Sequence, residues 1–212
     1  MNTAADGCAL SAAVVGAEDL SRTVAFYRDG VGLQLLDAGA WEGEDFEQHL
    51  GVPAGTRARF AVLGDGREAY GRIVALAFEP DAGTPVRTIP DGCGYGLINL
   101  NFYVQDIHAA VDRLTAHGCT AWSEPVRHDV DAATGAPTIV MLDGPDGVIV
   151  NLVELTSEDP ATKIGQMRAY VAARGYTAAG FTPVVTTQHC VRDLEAAARF
   201  YECALGMRHH FD

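Results

Sequence analysis

Two periods alternate along this chain, and their order sets the elements. From Leu97 to Val104, Leu100, Phe102 and Val104 alternate with Asn99, Asn101 and Tyr103, the period-two pattern of a half-buried strand. From Asp106 the period lengthens. Ile107, Val111 and Leu114 fall at i, i+4 and i+7 on one helical face, with Asp106 as N-cap and Gly118 as the stop. Strands are predicted next near Thr120–Val126, Thr138–Leu142 and Val148–Leu155, the last two joined by the turn Gly144-Pro145-Asp146-Gly147. The order is β-α-β-β-β.

That unit recurs. Asp19-Leu20, Asp106-Ile107 and Asp193-Leu194 are spaced by 87 residues each time, and the helical faces after them repeat (Leu20, Val24, Tyr27; Ile107, Val111, Leu114; Leu194, Ala198, Tyr201). Residues 24–33, VAFYRDGVGL, are answered by ARFYECALGM at 198–207. Three module starts follow.

Module one, about 8–80, is expected to hold strands at Leu10–Val15, Leu33–Ala38, Arg57–Leu63 and Gly71–Phe78, with a helix from Asp19 to Arg28. Within 39–56 a short helix is expected, with Trp41, Phe46 and Leu50 over one mouth of a cup. Residues 79–95, rich in proline and glycine, read as a connector to module two at 95–156. Residues 157–181 read as a helical linker, with Asp159 as cap, Pro160 at the first position and Gly175 as stop. Module three, 182–212, is incomplete: a strand at Pro183–Val191, a helix to Ala204 and the start of a strand at Gly206–Phe211. A β-α-β fragment cannot cover its own apolar face. Either the chain is part of a longer, four-module protein, or the tail docks on a second copy and makes a homodimer.

The repeat unit, and the Gly-Pro-Asp-Gly turn ahead of an apolar strand, resemble one module of the vicinal oxygen chelate superfamily, which includes glyoxalase I, bleomycin-resistance proteins and extradiol dioxygenases. The resemblance spans almost the whole chain. It implies an α+β fold in which paired βαβββ modules form a cup-shaped mixed sheet around a small ligand. Modules one and two are expected to pair about a pseudo-twofold axis. Such a fold says little about the reaction.

The resemblance also implies where a divalent metal would sit: on a His or Glu of the first strand and a Glu of the last strand of each module. Those places fall on Asn99 and Asn151 in module two, on Ala12 (or Ser11) and Ala75 in module one, and on Thr186 in module three. None offers an imidazole, carboxylate or thiolate, and neutral amides hold transition metals poorly. No cofactor is therefore expected, and a divalent metal only if its ligands are displaced. The histidines do not supply them: His108 and His117 belong to a helix, His49 and His128 to loops, and adjacent His209 and His210 point to opposite faces of a strand. What the cup offers instead is Asn99, Asn101, Tyr103, Ile149, Asn151 and Val153, a few hydrogen bonds in an apolar setting. The asparagines either meet a ligand or bond each other and water. No catalytic residue can be named. Glu124, His128, Asp129 and Asp131 cluster, but a solvated loop accounts for them.

Composition narrows the partners. Of the 212 residues 48% are hydrophobic and 20% charged, an ordinary globular balance, and the net charge is −13. An acidic chain without basic runs has nothing to meet the phosphates of nucleic acid or an anionic membrane. No basic leader and no run of 18 apolar residues occurs. The five cysteines are scattered and odd in number, against a disulfide framework or zinc knuckle, which suggests a cytoplasmic protein. The reading is a small-molecule-binding protein without the usual metal site in its first two modules. The alternatives are a metal-dependent glyoxalase-like lyase or isomerase, or a ring-cleaving dioxygenase, with displaced ligands, and a structural module pair of a longer four-module enzyme.

Overall fold

The computed structural model of the chain describes residues 10–67, 69–80 and 94–208. Module one forms β1 (Ala12–Gly16), α1 (Leu20–Ala25, continued by a wider turn over Phe26–Gly30), β2 (Gln34–Trp41), α2 (Glu44–Leu50), β3 (Arg57–Gly64) and β4 (Arg72–Glu79). Module two forms β5 (Gly96–Tyr103), α3 (Ile107–Ala116), β6 (Thr120–Ala121), β7 (Val126–Arg127), β8 (Thr138–Asp143) and β9 (Ile149–Glu154). Then come α4 (Lys163–Arg174), β10 (Thr186–Cys190) and α5 (Leu194–Leu205).

The recurring aspartate has one job in all three modules. Asp19, Asp106 and Asp193 each sit in extended backbone and accept a hydrogen bond from a first-turn N–H of α1, α3 or α5. Two sheets result. One has the order β1-β4-β3-β2, and the other β10-β5-β9-β8-β6, with β7 also on β8. The opening and closing strands of modules one and two run parallel, β1 with β4 and β5 with β9.

Apolar residues of both sheets and of α1 and α3 share one core. Ala13, Leu63 and Ile73 from the first sheet meet Phe26 and Tyr27, and beyond them Leu114, Phe102 and Leu152. Modules one and two therefore pack through their helices, which lie between the sheets. Among the described residues their sheets do not join about the expected pseudo-twofold. The edge of β5 is already taken by β10, antiparallel, with Thr186 opposite Asn101 and Gln188 opposite Asn99. What ties the first two modules is the turn that marks module two. Asp146, at φ 57, accepts from Glu18 N at 3.1 Å and from the Thr23 hydroxyl, at the start of α1. Arg113 of α3 adds a bond to Gly30 O at 2.7 Å.

Three boundaries move. The strand expected at Thr120–Val126 is two short pieces, β6 and β7, broken over 122–125, where Pro125 offers no N–H to the ladder. Helix α4 starts later than expected: Thr162, not Asp159, caps it by accepting from Gly165 N. Asp159 instead caps a preceding turn through Ala161 N. In module three, 206–208 carry no strand. His209 to Asp212, and most of the connector, lie outside the described residues. No helix among the described residues is long and apolar enough to cross a membrane.

Candidate functional site

The site starts from strand alternation. On β5, Leu100, Phe102 and Val104 face the helical core, as do Val150 and Leu152 on β9. By the same alternation Asn99, Asn101, Tyr103, Ile149, Asn151 and Val153 share the opposite, concave face. Asn151 stands beside Asn101, whereas Asn99 stands beside Ile149. The expected facing pair, Asn99 with Asn151, is thus one step out of register.

These asparagines are buried, and β10 binds two of them. Asn99 Nδ2 donates to Gln188 Oε1, and Gln188 N donates back to Asn99 Oδ1 at 3.1 Å. Asn101 Nδ2 donates to Thr186 Oγ1 at 2.6 Å. Among the described residues, the Oδ1 atoms of Asn101 and Asn151 receive no donor. Two buried acceptors on adjacent strands are left wanting an O–H or N–H. The expectation that the asparagines bond one another is replaced by bonds to module three.

Helix α4 covers the far end of this face. Ile164 and Val171 pack with Leu155, against Tyr103, Val153 and Met167. Its start is clamped to the 131–135 loop: Lys163 N donates to Ala133 O at 3.0 Å and Ile164 N to Thr134 O at 2.9 Å. Asp131 organises that loop, accepting from Ala133 N, Thr134 N and the Thr134 hydroxyl, and these bonds hold its carboxyl below the usual range. Gly165 fits only because it lacks a side chain, since a Cβ there would lie 2.0 Å from Asp159 O.

Between α4, the 65–71 turn of module one and the 182–186 segment runs an open groove of about 800 Å³. Tyr103 and Thr186 reach it from the concave face, and Leu10, Met167, Val171 and Val184 supply apolar lining. One wall is an arginine–tyrosine stack. The Arg174 guanidinium lies 3.8 Å from the centre of the Tyr170 ring, and its Nε donates to Tyr70 Oη at 3.1 Å. Arg67 pairs with buried Asp65 at 2.9 Å and donates to Arg174 O at 2.8 Å, fastening the turn to the end of α4. Gly71 closes the base, with Val184 N donating to its carbonyl at 3.1 Å. A Cβ there would meet Val184 O at 2.6 Å. Burial pushes the Tyr103 phenol above its ordinary range, so it remains a donor at neutral pH.

Of the six residues singled out in the sequence, only Tyr103 lines this groove. The α4 wall was missed. Its signal was present in Ile164, Met167 and Val171, apolar at i, i+3 and i+7 on a helix that reads merely as a linker.

The donors present do not fit a divalent transition metal. The concave face of module two and β10 offers amides and a hydroxyl, and Asn99 and Asn101 are already engaged. In module one the position beside Val14 is Val74, whereas Ala75 points into the helical core. The place assigned to Ala75 was one residue off, and one residue flips a strand position to the other face. That face carries Arg72 and Asp37 beside apolar residues, with Trp41 stacked on Phe60 at 4.3 Å. No group of three His, Cys, Asp or Glu side chains suited to a metal gathers among the described residues.

Comparison with known proteins agrees with the architecture. A lactoylglutathione lyase of Arabidopsis thaliana is 27% identical over 190 residues, which is 90% of this chain and 52% of that protein. The chain thus spans about half the length of that curated relative. The crystal structure of a glyoxalase family protein from Bacillus cereus superposes with a TM-score of 0.57 at 25% identity, covering 70% of this chain and 93% of that one. Glyoxalase I from Zea mays gives 0.54 at 20% identity, covering 94% of this chain and 56% of its own. The family profile matches residues 9–152, more than half of the sequence. With three capped strand–helix starts and two sheets back to back on their helices, the chain belongs to the Glyoxalase/Bleomycin resistance protein/Dioxygenase superfamily.

Proposed function

We propose that this chain binds a small molecule in the groove between α4 and the 182–186 segment, and does so without a divalent metal. One observation carries the reading: a mostly apolar groove of about 800 Å³ into which Tyr103 and Thr186 reach from the concave sheet. Ligand sites have this size and this mix of apolar walls with a few fixed polar groups. The Tyr103 hydroxyl and Gln166 amide donate, Thr186 donates or accepts, and the Tyr170–Arg174 stack offers a flat surface for a ring. Asn99, Asn101 and Asn151 form the layer behind, where Asn101 sets the Thr186 hydroxyl. The reading places the protein in the cytoplasm, with Cys119, Cys190 and Cys203 as free thiols.

The test uses 1-anilinonaphthalene-8-sulfonate as an apolar aromatic probe. Binding should saturate near one probe per chain, survive EDTA and weaken at least about tenfold in Tyr103→Ala and in Tyr170→Ala. Binding unchanged in both variants would refute the groove. The plant relative's name motivates the second reading, a metal-dependent lyase with displaced ligands. Turnover of lactoylglutathione that EDTA abolishes, with about one divalent ion per chain in elemental analysis, would replace the first reading by the second.

A further inference from the structure

We propose that the cavity where α4 meets the ends of β5 and β9 binds a small zwitterion of the α-amino-acid class, with its ammonium on Glu154 and its carboxylate on Arg168. It is a second site, independent of the groove. Arg168 and Ala172 lie on a different face of α4 from Met167, Tyr170 and Val171, and the two sites share no lining residue.

The cavity holds about 340 Å³, within the range of small-ligand sites. Glu154, the last residue of β9, is half-buried, and its Oε2 accepts from Ile107 N at 3.0 Å, in the first turn of α3. That bond holds the carboxylate still, and among the described residues its Oε1 receives no donor. Arg168 reaches the cavity from α4 and donates from Nη1 to Glu158 Oε1 at 3.1 Å. The Glu158 side chain is 83% exposed, so that pair is weak, and a ligand carboxylate can take its place on the guanidinium.

Tyr176 answers to both charges. Its ring packs on Leu155, Ile164 and Val171, and its hydroxyl has no hydrogen-bond partner among the described residues. Burial raises the phenol, the Arg168 guanidinium lowers it and the Glu154 carboxylate raises it, so guanidinium and carboxylate both act on this one hydroxyl. It stays protonated at neutral pH and donates to a carboxylate held on Arg168. A lone cation would face Arg168 and a lone anion Glu154, so a molecule bearing both charges suits the cavity best. Val104, Leu155 and Ala172 offer its side chain an apolar surface.

Isothermal titration calorimetry on the full chain tests it with L-valine, isobutylamine and isovalerate, the last two being L-valine less its carboxylate and less its ammonium. L-Valine should bind once per chain, and each single-charge analogue at least about tenfold more weakly. Arg168→Gln and Glu154→Gln should each weaken L-valine at least about tenfold, and the amide oxygen of Glu154→Gln can still accept from Ile107 N, so the start of α3 is kept. Tyr103→Ala, in the groove, should leave L-valine binding unchanged, so the two sites fail separately. No binding of L-valine up to about 10 mM overturns the proposal, as does an analogue that binds as tightly as L-valine. Full binding in both charge variants, or loss of binding in Tyr103→Ala, overturns it as well.

Discussion

Helices α1 and α5 begin with the same aspartate cap and carry nearly the same apolar residues, yet they end in opposite surroundings. Phe26, Tyr27, Val31 and Leu33 are 5%, 0%, 0% and 2% exposed. Of their counterparts, Phe200, Leu205 and Met207 are 59%, 54% and 45% exposed, while Tyr201 is half-buried. The helix start is local, since the same aspartate cap begins both, and Gly206 in the left-handed region stops α5. Burial is not local. Around α1 it comes from Ala61, Leu63, Ile73 and Ala75 of β3 and β4 and from module two, whereas no closing strands cover α5 among the described residues. An amphipathic pattern thus states what a helix needs, and only the neighbouring strands decide whether it gets it.

The sharpest test of that contrast is to delete matched rings. Phe26→Ala should cost about 3–5 kcal/mol in urea denaturation, the loss for an aromatic side chain removed from a packed core. In dilute solution Phe200→Ala should stay within about 0.5 kcal/mol. Equal costs would mean that α5 is covered within its own chain.

The next largest effect concerns what couples module one to its neighbour. Asp146→Ala removes the acceptor of both Glu18 N and the Thr23 hydroxyl. Thr23 is buried, and it keeps one bond, to Asp19 O at 3.1 Å. A loss of about 1.5–3 kcal/mol is expected, as for other bonds to a charged group. A loss below about 0.5 kcal/mol would show that the turn does not hold α1 in solution.

A smaller effect separates the two asparagines of the concave face. Asn101→Leu breaks the bond to Thr186 and should cost about 1 kcal/mol, with faster amide exchange confined to β10. Asn151→Leu removes a buried oxygen that meets no protein donor, so it should be neutral or slightly stabilising. If Asn151→Leu costs as much as Asn101→Leu, that oxygen has a partner such as a bound water, and the two positions are equivalent.

Much of this was legible in the chain because it depends on near neighbours. The aspartate caps, the strand alternation and the face shared by Asn99, Asn101 and Tyr103 follow from spacing alone. The pairing of β5 with β10 does not. An edge is backbone, and nothing in Gly96–Tyr103 or Ala12–Gly16 says which other edge it will meet. The placing of Ala75 failed for a related reason. The stretch between β3 and β4 is longer than the turn before β9, so counting from its last glycine slipped by one residue and turned the side chain to the wrong face. The groove was hidden because α4 gains its function only by lying on a sheet that precedes it in sequence.

The last and smallest prediction returns to the well-covered half of the comparison, through Cys119. Its thiol is buried at the end of α3 and is pushed up to about 11, chiefly by burial and then by the Asp143 carboxylate. The thiol form is thus favoured in the folded state, while the unfolded chain ionises near the ordinary 9.0. A folded value above the unfolded one means that this contribution is fully present below pH 9.0 and is lost as pH rises through about 11. Burial also raises Tyr27 and Tyr103, which lose stability over alkaline pH in the same sense, so the wild-type curve alone cannot isolate the cysteine. The difference between wild type and Cys119→Ala can. Urea midpoints at matched pH should fall more steeply for wild type between pH 9 and 11, and run parallel below it. Parallel curves for Cys119→Ala throughout would mean that water reaches the thiol, and that the core between the first two modules is looser at that end than its packing implies.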